Sequence, residues 1–508
     1  MPLPAQPAFA SLLLRTIATV ACVGLLSACS SGPPTPHRVV MVGIDGGDWR
    51  VLDPFIEAGV TPNLARMRHE GASASLEIDS AQSPESWTSI ASGRHPAEHG
   101  VIQHNNGQLG GAFGASNNEV RVHRVWDMAT RQDRSSFVLD FWATAPAYPI
   151  LGVLIPRERG SSWPPGLSGG APDVVPRHHA ELIESLGLGS LDSGRAREIL
   201  ARQRFDLTIL PYYGLDQSQH IFFNEYTTAR DPAAMAALAP ADAARMQLGY
   251  EVVQETARLA DDWVGLALQT AGLDGYVVLF SDHGHSAATP PTRRIALGRA
   301  ALDGGAGSIE HGPLDLSVLG LGTAHATIED TPRREGTLEL RVPTVRLEGD
   351  GAVAVRALLL SRRTLAGEPV FATAPGGALV ASPALAQACR STIGKHEEPA
   401  YSCFVNTGGH GLKDLGIFAV LGPDVVPGIR PGPVPSVDIT PTVLWLMGLP
   451  TGEDLAGHPQ TGILSVKRPV LSIPTYEDGN MPWRHGAQNA PTDPIQLQEW
   501  LKSMGYVE

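Results

Sequence analysis

Short apolar runs rich in β-branched residues recur along the chain, and polar residues follow them. The clearest runs occupy residues 38–44, 136–141, 206–210, 276–280 and 417–421. Runs that are apolar throughout predict strands buried on both faces. Helical patterns lie between them, such as residues 241–271 just before Gly272 and residues 439–447 just before Gly448. This alternation predicts an α/β fold whose mostly parallel sheet has helices on both faces.

Two stretches interrupt this alternation. Residues 152–200 hold Pro, Gly and Ser clusters around a short helical pattern. Residues 286–405 contain the alternating segments 337–342 and 353–358, which predict antiparallel strands. Both stretches are interpreted as insertions over the sheet. The predicted organisation is a core at residues 38–285 and 406–470, a cap insertion at about 152–200, an inserted cap subdomain at 286–405, and a C-terminal tail at 471–508 that ends in a helix at 494–504.

Composition is that of one large globular protein. The chain has 508 residues, a formal net charge of −14 and 43% hydrophobic residues, so it can bury a large core. A pI near 5.6 and the lack of a basic run exclude extended nucleic acid as an expected partner.

The N-terminus has the pattern of an export signal. An apolar stretch at residues 16–27 is too short to span a bilayer as a helix. It runs into Leu-Ser-Ala-Cys at residues 26–29, which resembles a bacterial lipobox. We therefore expect residues 1–28 to be a lipoprotein signal peptide, Cys29 to carry lipid and residues 29–37 to form a tether. The expected location is the bacterial cell envelope, anchored to a membrane on its periplasmic or extracellular face. An ordinary signal peptide followed by an unmodified cysteine is the alternative.

If Cys29 carries lipid and Cys22 is removed with the signal peptide, Cys389 and Cys403 remain, in a segment rich in polar and turn-forming residues. In an oxidising compartment they are expected to form a structural disulfide that stabilises the fold by about 3 kcal/mol. Two free buried thiols are the alternative.

Acidic residues and histidines lie next to several predicted strands. Ligands gather beyond the carboxyl ends of parallel strands, so we expect these side chains to converge. They are Asp45, Asp216, His220, Asp282 and His283, and His410 just before the last apolar run. Three carboxylates and three imidazoles without a thiolate favour Zn²⁺, with Mn²⁺ or iron as alternatives. Taken singly, an Asp-His-Gly turn or an Asp-His pair on a helix surface needs no metal.

A hydroxyl-rich segment at residues 83–93 supplies the candidate nucleophile. Ser83 is a favourable N-cap residue, and Pro84 suits the first helical position. A serine oxygen at the positive end of a helix and beside a metal favours both an alkoxide and an anionic phosphate. Ser86, one turn further on, is expected to donate to a phosphoryl oxygen, and Thr88 and Ser89 are competing hydroxyls.

Several short motifs follow one another between residues 38 and 460. They are VGIDGGDW (42–49), TPNL (61–64), SPESWTSIASG (83–93) with His99-Gly100, Asp216-x-x-x-His220, SDHG (281–284), GHG (409–411) and VDITPT (437–442). This ordered set resembles the type I phosphodiesterase/nucleotide pyrophosphatase family of the alkaline phosphatase superfamily. The resemblance implies an alkaline-phosphatase-like three-layer sandwich, two divalent metal ions and covalent phosphorylation of Ser83. By the same resemblance, the ligands are Asp45, Ser83, Asp282 and His283 for one metal and Asp216, His220 and His410 for the other.

Three positions depart from the patterns of related enzymes. Ser86 stands where the nucleotide pyrophosphatases of the family have an asparagine that holds the phosphoryl oxygen. His285 stands where methionine or phenylalanine is usual, which makes it an alternative metal ligand. Trp87 occupies the place of the arginine in the sulfatase motif, which disfavours formylglycine chemistry.

These features predict an exported, lipid-anchored two-metal hydrolase of small phosphate esters, of the phosphodiester or nucleotide-pyrophosphate type, with a phosphoryl-serine intermediate. Trp142 and Tyr213 are expected to contact the organic group of the substrate, with core packing as the alternative. The alternative functions are a phosphomonoesterase or phosphonate hydrolase on the same site, a non-catalytic lipid-tethered envelope binding protein, and a transferase of phosphoryl-linked headgroups.

Overall fold

The computed structural model describes residues 37–102, 115–157, 193–302, 312–316, 319, 322–335, 338–391, 395–398 and 400–479. The predicted signal peptide with Cys29, nearly all of the tether, most of the 152–200 insertion and the helix predicted at 494–504 lie outside these residues. Within the described ranges, no helix combines the length and the apolar character needed to cross a membrane.

Helices and strands alternate along the described chain. The α-helices are α1 (Trp49–Glu57), α2 (Pro62–Glu70), α3 (Ser83–Ser92), α4 (Pro96–His99), α5 (Val125–Arg131), α6 (Ser193–Arg202), α7 (Gly214–Ala229), α8 (Pro232–Ala236), α9 (Pro240–Ala271), α10 (Arg299–Leu302), α11 (Ala352–Leu360), α12 (Pro383–Ser391) and α13 (Ile439–Leu446). The strands are β1 (Val39–Ile44), β2 (Ala72–Glu77), β3 (Ser136–Phe141), β4 (Gly152–Pro156), β5 (Leu207–Tyr212), β6 (Tyr276–Phe280), β7 (Ser286–Leu297), β8 (Gly312–Asp315), β9 (His325–Glu335), β10 (Leu338–Glu348), β11 (Phe371–Thr373), β12 (Leu379–Ala381), β13 (Lys395–Glu398), β14 (Tyr401–Gly409), β15 (Gly416–Leu421), β16 (Val434–Pro435), β17 (Thr451–Gly452) and β18 (Ser472–Ile473).

Eight strands form the main sheet, in the order β16-β2-β15-β6-β1-β5-β3-β4. β1 pairs in parallel with β5 and β6, and β3 pairs in parallel with β5 and β4. β15 is antiparallel to both of its neighbours, β2 and β6. The prediction of a mostly parallel sheet built from apolar runs is confirmed.

Helices cover both faces of this sheet. In β1, Val39 and Met41 face one apolar core, and Val40, Val42 and Ile44 face the other. The first core includes side chains of α3, α5 and α13, and the second includes side chains of α1, α7 and α9. The whole of β1 is buried because each face of the strand meets a helical layer. The chain is therefore a three-layer α/β sandwich, as predicted.

A second sheet is formed by strands between residues 286 and 409, which overlap the predicted cap subdomain. Its order is β11-β12-β10-β7-β14-β13, with β9 paired to β10 and β8 paired to β9. It has an apolar core of its own, which includes Ile295 and Leu340. The sheet adjoins the main domain at α7, where Thr407 Oγ1 donates a hydrogen bond to the Ile221 carbonyl oxygen at 2.9 Å.

A disulfide joins α12 to β14 within this second core. The Cα atoms of Cys389 and Cys403 are 5.5 Å apart, and both side chains are fully buried. The disulfide therefore links α12 directly to β14, the strand that leads back into the main domain.

Two assignments made from the sequence are wrong. Residues 353–358 lie in helix α11 and not in a strand, because Val355 and Leu359 are one helical turn apart and both face the second core. Gly152–Pro156 falls in the predicted cap insertion, but it forms the edge strand β4 of the main sheet. This part of the predicted insertion therefore belongs to the core.

Candidate metal centre

Side chains from three parallel strands meet at the carboxyl edge of the main sheet. Asp45 directly follows β1, and Asp282 and His283 lie just after β6. Asp216 and His220 lie in the first two turns of α7, the helix that follows β5. The sequence places these residues together because parallel strands end at the same edge.

His410 reaches the same edge from the opposite direction. It lies between β14 and β15, and the antiparallel orientation of β15 brings the start of that strand to this edge. The His410 ring stacks on the His283 ring with the centroids 3.6 Å apart, and its centroid is 5.0 Å from that of His220. His410 therefore lies between the two groups of candidate ligands.

Asp45, Asp282 and His283 form the first group, with ligand atoms within 4.8 Å of one another. His283 Nε2 lies 3.5 Å from Asp45 Oδ1 and 3.2 Å from Asp282 Oδ2. Ser83 Oγ lies 3.3 Å from the same nitrogen. One cation could contact all of these atoms at once.

Asp216, His220 and His410 form the second group, and His285 adjoins it. Asp216 Oδ1 lies 3.4 Å from His220 Nε2 and 3.4 Å from His285 Nδ1. A Cβ atom on Gly408 would lie 2.7 Å from His285 Nε2, so the glycine leaves room for this ring. The structure thus places His285, the alternative ligand of the sequence, against the carboxylate of the second group.

Neighbouring groups orient these ligands. Trp87 Nε1 donates to Asp45 Oδ2 at 3.3 Å, and the backbone N–H that follows Asp45 donates to Asp282 Oδ1 at 3.3 Å. His220 Nδ1 lies 3.3 Å from the Gly408 carbonyl oxygen. Each contact occupies one atom of the ligand and leaves its other atom for the centre, as is usual around metal sites.

Several buried polar atoms at the centre lack a hydrogen-bond partner among the described residues. They are Asp45 Oδ1, Asp216 Oδ1, Asp282 Oδ2, His410 Nδ1 and both ring nitrogens of His285. An unpaired buried polar group costs about 1–3 kcal/mol, so a cluster of them points to a ligand that pairs with them. Carboxylate oxygens and imidazole nitrogens are donors that suit divalent cations such as Zn²⁺. The residues present therefore fit a metal centre.

Burial and repulsion set the protonation of these groups. Burial raises the pKa of Asp45 well above its ordinary value, and the charges of Asp282 and Asp216 raise it further. Burial lowers the pKa of His285 to about 4 and the pKa of His410 to about 3. Both rings are therefore neutral at pH 7, which is the form of imidazole that binds metals.

Ser83 is the first residue of α3, and its hydroxyl contacts this centre. The sequence predicts Ser83 as the N-cap, but Gln82 holds that position, since its carbonyl oxygen accepts hydrogen bonds from the N–H groups of Glu85 and Ser86. Helix ends assigned from sequence are often displaced by one residue. The Ser83 hydroxyl nevertheless lies at the positive end of the helix, 3.3 Å from His283 Nε2.

The other hydroxyls of α3 are engaged elsewhere. Ser86 Oγ donates to the Asp282 carbonyl oxygen at 2.7 Å. Thr88 Oγ1 donates within its own helix, and Ser89 Oγ lies 3.1 Å from His99 Nε2. Ser86 therefore supports the backbone of a candidate ligand, and its contact with a phosphoryl oxygen stays a prediction. Among the described hydroxyls of α3, the Ser83 hydroxyl is the one that contacts the side chain of a candidate ligand.

Trp142 and Tyr213 are partly buried against the main core, with ring centroids 6.1 Å apart. The guanidinium of Arg157 lies over both rings, 4.4 Å from the centroid of Trp142 and 3.8 Å from that of Tyr213. The aromatic pair predicted to contact substrate therefore packs on a cation of the protein. Sequence reasoning missed Arg157, whose one signal is that it directly follows the apolar run of β4.

The sequence also matches a known enzyme family. A sequence model of the type I phosphodiesterase / nucleotide pyrophosphatase family matches residues 39–349, more than half of the chain. The chain belongs to this family, and the prediction of a phosphate-ester hydrolase is confirmed. Metal dependence is typical of the family, and the structure has candidate groups of histidine and aspartate ligands.

Solved structures similar to this chain include two mammalian proteins. Human ectonucleotide pyrophosphatase / phosphodiesterase 5 is 12% identical with a TM-score of 0.41, and the match covers 85% of this chain and 100% of that chain. Murine ectonucleotide pyrophosphatase / phosphodiesterase 5, an inactive variant in complex with AMP, is 12% identical with a TM-score of 0.41, and the match covers 84% of this chain and 100% of that chain. No curated protein matches the chain by sequence.

Proposed function

We propose that this chain is a two-metal hydrolase that cleaves phosphate esters, of the phosphodiester or nucleotide-pyrophosphate type, through a phosphoryl-serine at Ser83. The observation that carries the proposal is the contact of Ser83 Oγ with His283 Nε2 at 3.3 Å. This contact lies in a cluster of carboxylates and imidazoles, and several buried atoms of the cluster lack hydrogen-bond partners among the described residues. Family membership gives the reaction class, and the cluster supplies the residues for it.

Two divalent cations, which we propose to be Zn²⁺, fit the two ligand groups. The proposed ligands are Asp45, Ser83, Asp282 and His283 for one cation and Asp216, His220 and His410 for the other. Bound cations would supply the positive charge that lowers the pKa of the Ser83 hydroxyl and stabilises the departing oxygen. His285 is within reach of the second group through its contact with Asp216.

The charges of these ligands balance those of two divalent ions. Three carboxylates and one serine alkoxide carry four negative charges, and neutral imidazoles add none. A centre that is neutral once loaded accepts an anionic phosphate, although the protein has a net charge of −14.

Ser83 attacks phosphorus in line with the departing ester oxygen. The hydroxyl proton passes to solvent, and the bond between Ser83 Oγ and phosphorus forms. The ester bond breaks, and the leaving group departs with the bonding electrons and takes up a proton from solvent. Water then attacks the phosphoryl-serine: its oxygen stays on phosphorus, the bond from phosphorus to Ser83 Oγ breaks, and a proton restores the Ser83 hydroxyl as the remaining phosphorylated product leaves. The N–H groups of the first turn of α3 favour negative charge near Oγ during both steps.

Replacement of Ser83 by alanine tests this role. Ser83→Ala is expected to lower kcat for bis-p-nitrophenyl phosphate by about 1,000-fold or more, because the variant has no oxygen to attack phosphorus. Ser92→Ala is the matched control, since it removes a buried hydroxyl whose hydrogen bond stays within the same helix. It should remain active. Full activity of Ser83→Ala would refute the nucleophile assignment.

We also propose that the protein is exported and lipid-anchored at Cys29 in the bacterial cell envelope. The lipobox-like sequence at residues 26–29 motivates this proposal. The Cys389–Cys403 disulfide supports it, because disulfides form in oxidising compartments. Labelled palmitate should be incorporated into the native protein and not into Cys29→Ser. Native protein that is unlabelled and soluble would contradict the anchor.

A further inference from the structure

Arg157 is a buried cation at the same edge of the main sheet as the candidate metal centre. It directly follows β4, at the carboxyl edge of the main sheet. Its side chain is only 7% exposed, and Nη1 donates to Asp140 Oδ2 at 2.8 Å. The flat face of the guanidinium packs on Trp142 and Tyr213. A charged group this deeply buried needs partners, and Asp140 is the one hydrogen-bond partner of the guanidinium among the described residues.

The backbone bends so that Asp140 reaches this guanidinium. The pairing of β3 with β4 shifts register between Leu139 and Phe141, and Asp140 between them has a φ of 41°. Residues other than glycine rarely adopt positive φ, and bulges of this kind redirect side chains next to active sites. Tyr213 Oη donates to the Asp140 carbonyl oxygen at 2.7 Å, so the bulge also holds one of the two rings. The position of Arg157 is therefore fixed at a cost in backbone strain.

A short series of contacts leads from Arg157 to the metal centre. The Tyr213 ring lies against Arg157 and also against Trp87, with the two ring centroids 5.5 Å apart. Trp87 Nε1 donates to Asp45 Oδ2 at 3.3 Å. Tyr213 and Trp87 therefore lie between the guanidinium of Arg157 and the carboxylate of Asp45.

The donor predicted for a phosphoryl oxygen, Ser86, is engaged within the protein. Ser86 Oγ donates to the Asp282 carbonyl oxygen at 2.7 Å, so its proton is already used. A guanidinium offers several N–H groups in a planar arrangement that matches phosphoryl oxygens. Arg157 has this chemistry and lies at the same edge of the main sheet as the centre.

We propose that Arg157 binds a non-bridging phosphoryl oxygen of the substrate, on the scissile phosphate or on a phosphate next to it, a role that rests on the proposed function. Trp142 and Tyr213 then position the guanidinium and do not stack on an aromatic group of the substrate. Arg157 then selects phosphate esters through their phosphoryl oxygens.

Binding of inorganic phosphate tests this role without turnover. The dissociation constant is measured by calorimetry on zinc-loaded protein that carries Ser83→Ala. Adding Arg157→Gln is expected to raise the dissociation constant about 10-fold or more, the effect of losing a charge-assisted hydrogen bond. Arg157→Lys should raise it less, because lysine keeps the charge without the planar fork.

Arg68→Gln is the matched control. Arg68 also pairs with a carboxylate, Asp53 at 3.1 Å, and lies over an indole, Trp49 at 4.3 Å. It contacts Ser73 near the start of β2, at the edge of the sheet opposite the metal centre. Phosphate binding should be unchanged in Arg68→Gln. Equal dissociation constants for Arg157→Gln and Arg68→Gln would overturn the proposal.

Asp140→Asn distinguishes two roles of Arg157, phosphate binding and a purely structural ion pair with Asp140. This variant keeps the side-chain shape and removes the counter-charge of Arg157. A phosphate-binding arginine predicts phosphate affinity equal to or tighter than that of the parent. A loss as large as that expected for Arg157→Gln would overturn the proposal. The unfolding temperature and the zinc content show which variants are folded. If Arg157→Gln does not fold, the two single variants Arg157→Lys and Asp140→Asn decide the question.

Two substrates then locate the bound oxygen. With Ser83 intact, kcat/KM is compared for bis-p-nitrophenyl phosphate, which has one phosphate, and UDP-glucose, which has two. If Arg157→Gln lowers kcat/KM equally for both substrates, the bound oxygen belongs to the scissile phosphate. If kcat/KM falls more for UDP-glucose, the oxygen belongs to the adjacent phosphate. An unchanged kcat/KM for both substrates contradicts the proposal. Turnover by Ser83→Ala would overturn the proposed function and leave the phosphate-binding result to be judged separately.

Discussion

Ser83 Oγ lies 3.3 Å from His283 Nε2, although 200 residues separate them in the sequence. Ser83 begins α3, which follows β2, and His283 follows β6. The main sheet brings both to its carboxyl edge, where the positive end of a helix, a hydroxyl and a buried imidazole meet. The proposed chemistry can therefore be tested by replacing single side chains at the carboxyl edge of the main sheet.

Removal of metal should abolish activity. Dialysis against a chelator is expected to leave an inactive protein that remains folded, because both apolar cores of the main sheet are built from side chains other than the candidate ligands. Zn²⁺ should restore activity, and metal analysis of the purified protein should give about two equivalents per chain. A metal-free preparation with full activity would contradict the two-metal account.

His285→Ala should weaken the binding of one of the two metals by about 10- to 100-fold. The reason is the contact of His285 Nδ1 with Asp216 Oδ1 at 3.4 Å, which either adds a ligand or orients one. Zinc affinity is measured by competition with a chromophoric chelator. His69→Ala, which removes an exposed imidazole, is the control and should bind zinc as the parent does. Unchanged zinc affinity in His285→Ala would exclude both roles.

Acid should destabilise the fold through His99. Burial lowers the pKa of His99 to about 4, and the N–H of Val101 donates to its Nδ1 at 3.1 Å, so the folded protein holds the ring neutral. The unfolded chain binds a proton below about pH 6.5, whereas the folded chain does so only below about pH 4. The stability from the neutral ring is therefore present above about pH 6.5 and is lost as the pH falls to 4, by roughly 3 kcal/mol.

His99→Gln isolates this contribution. Glutamine can keep the hydrogen bonds and does not titrate, so the free energy of unfolding should fall less between pH 7 and pH 4 than in the parent. Urea denaturation at several pH values measures the free energy of unfolding of both proteins. The residues of the metal centre titrate alike in both, so their contribution cancels in the difference between the two proteins. An identical pH dependence in both proteins would contradict the role of His99.

Loss of the disulfide should destabilise the second sheet. Replacing both Cys389 and Cys403 by serine is expected to lower the free energy of unfolding by about 3 kcal/mol, because the unfolded chain regains the freedom of a closed loop. Zinc content should be unchanged, since the pair lies in the core of the second sheet. Urea denaturation of the double variant checks the stability, and a midpoint equal to that of the parent would contradict the expectation.

The main sheet and much of its edge follow from the sequence because a strand buried on both faces is apolar throughout. Asp45 and Asp282 are then placed by the rule that parallel strands end together. His410 joins them for a reason that the sequence does not show. It precedes its strand, and it lies at the shared edge only because β15 is antiparallel to β6.

Side-chain direction is what the sequence does not determine. Ser86 lies one turn from Ser83, but its hydroxyl donates to the Asp282 backbone. Arg157 pairs with Asp140 at a bulge that no short motif indicates. Residues 353–358 alternate like a strand, yet the second core makes them helical by burying side chains one turn apart. Tertiary contacts override local pattern in each case.

Detection of the covalent intermediate tests the central claim most directly. Zinc-loaded protein is mixed with bis-p-nitrophenyl phosphate, quenched rapidly in acid and digested for mass spectrometry. The account predicts a p-nitrophenyl phosphoryl group on the peptide that contains Ser83, formed with a burst of p-nitrophenol and absent from Ser83→Ala. A modified residue other than Ser83, or wild-type turnover by Ser83→Ala, would contradict it.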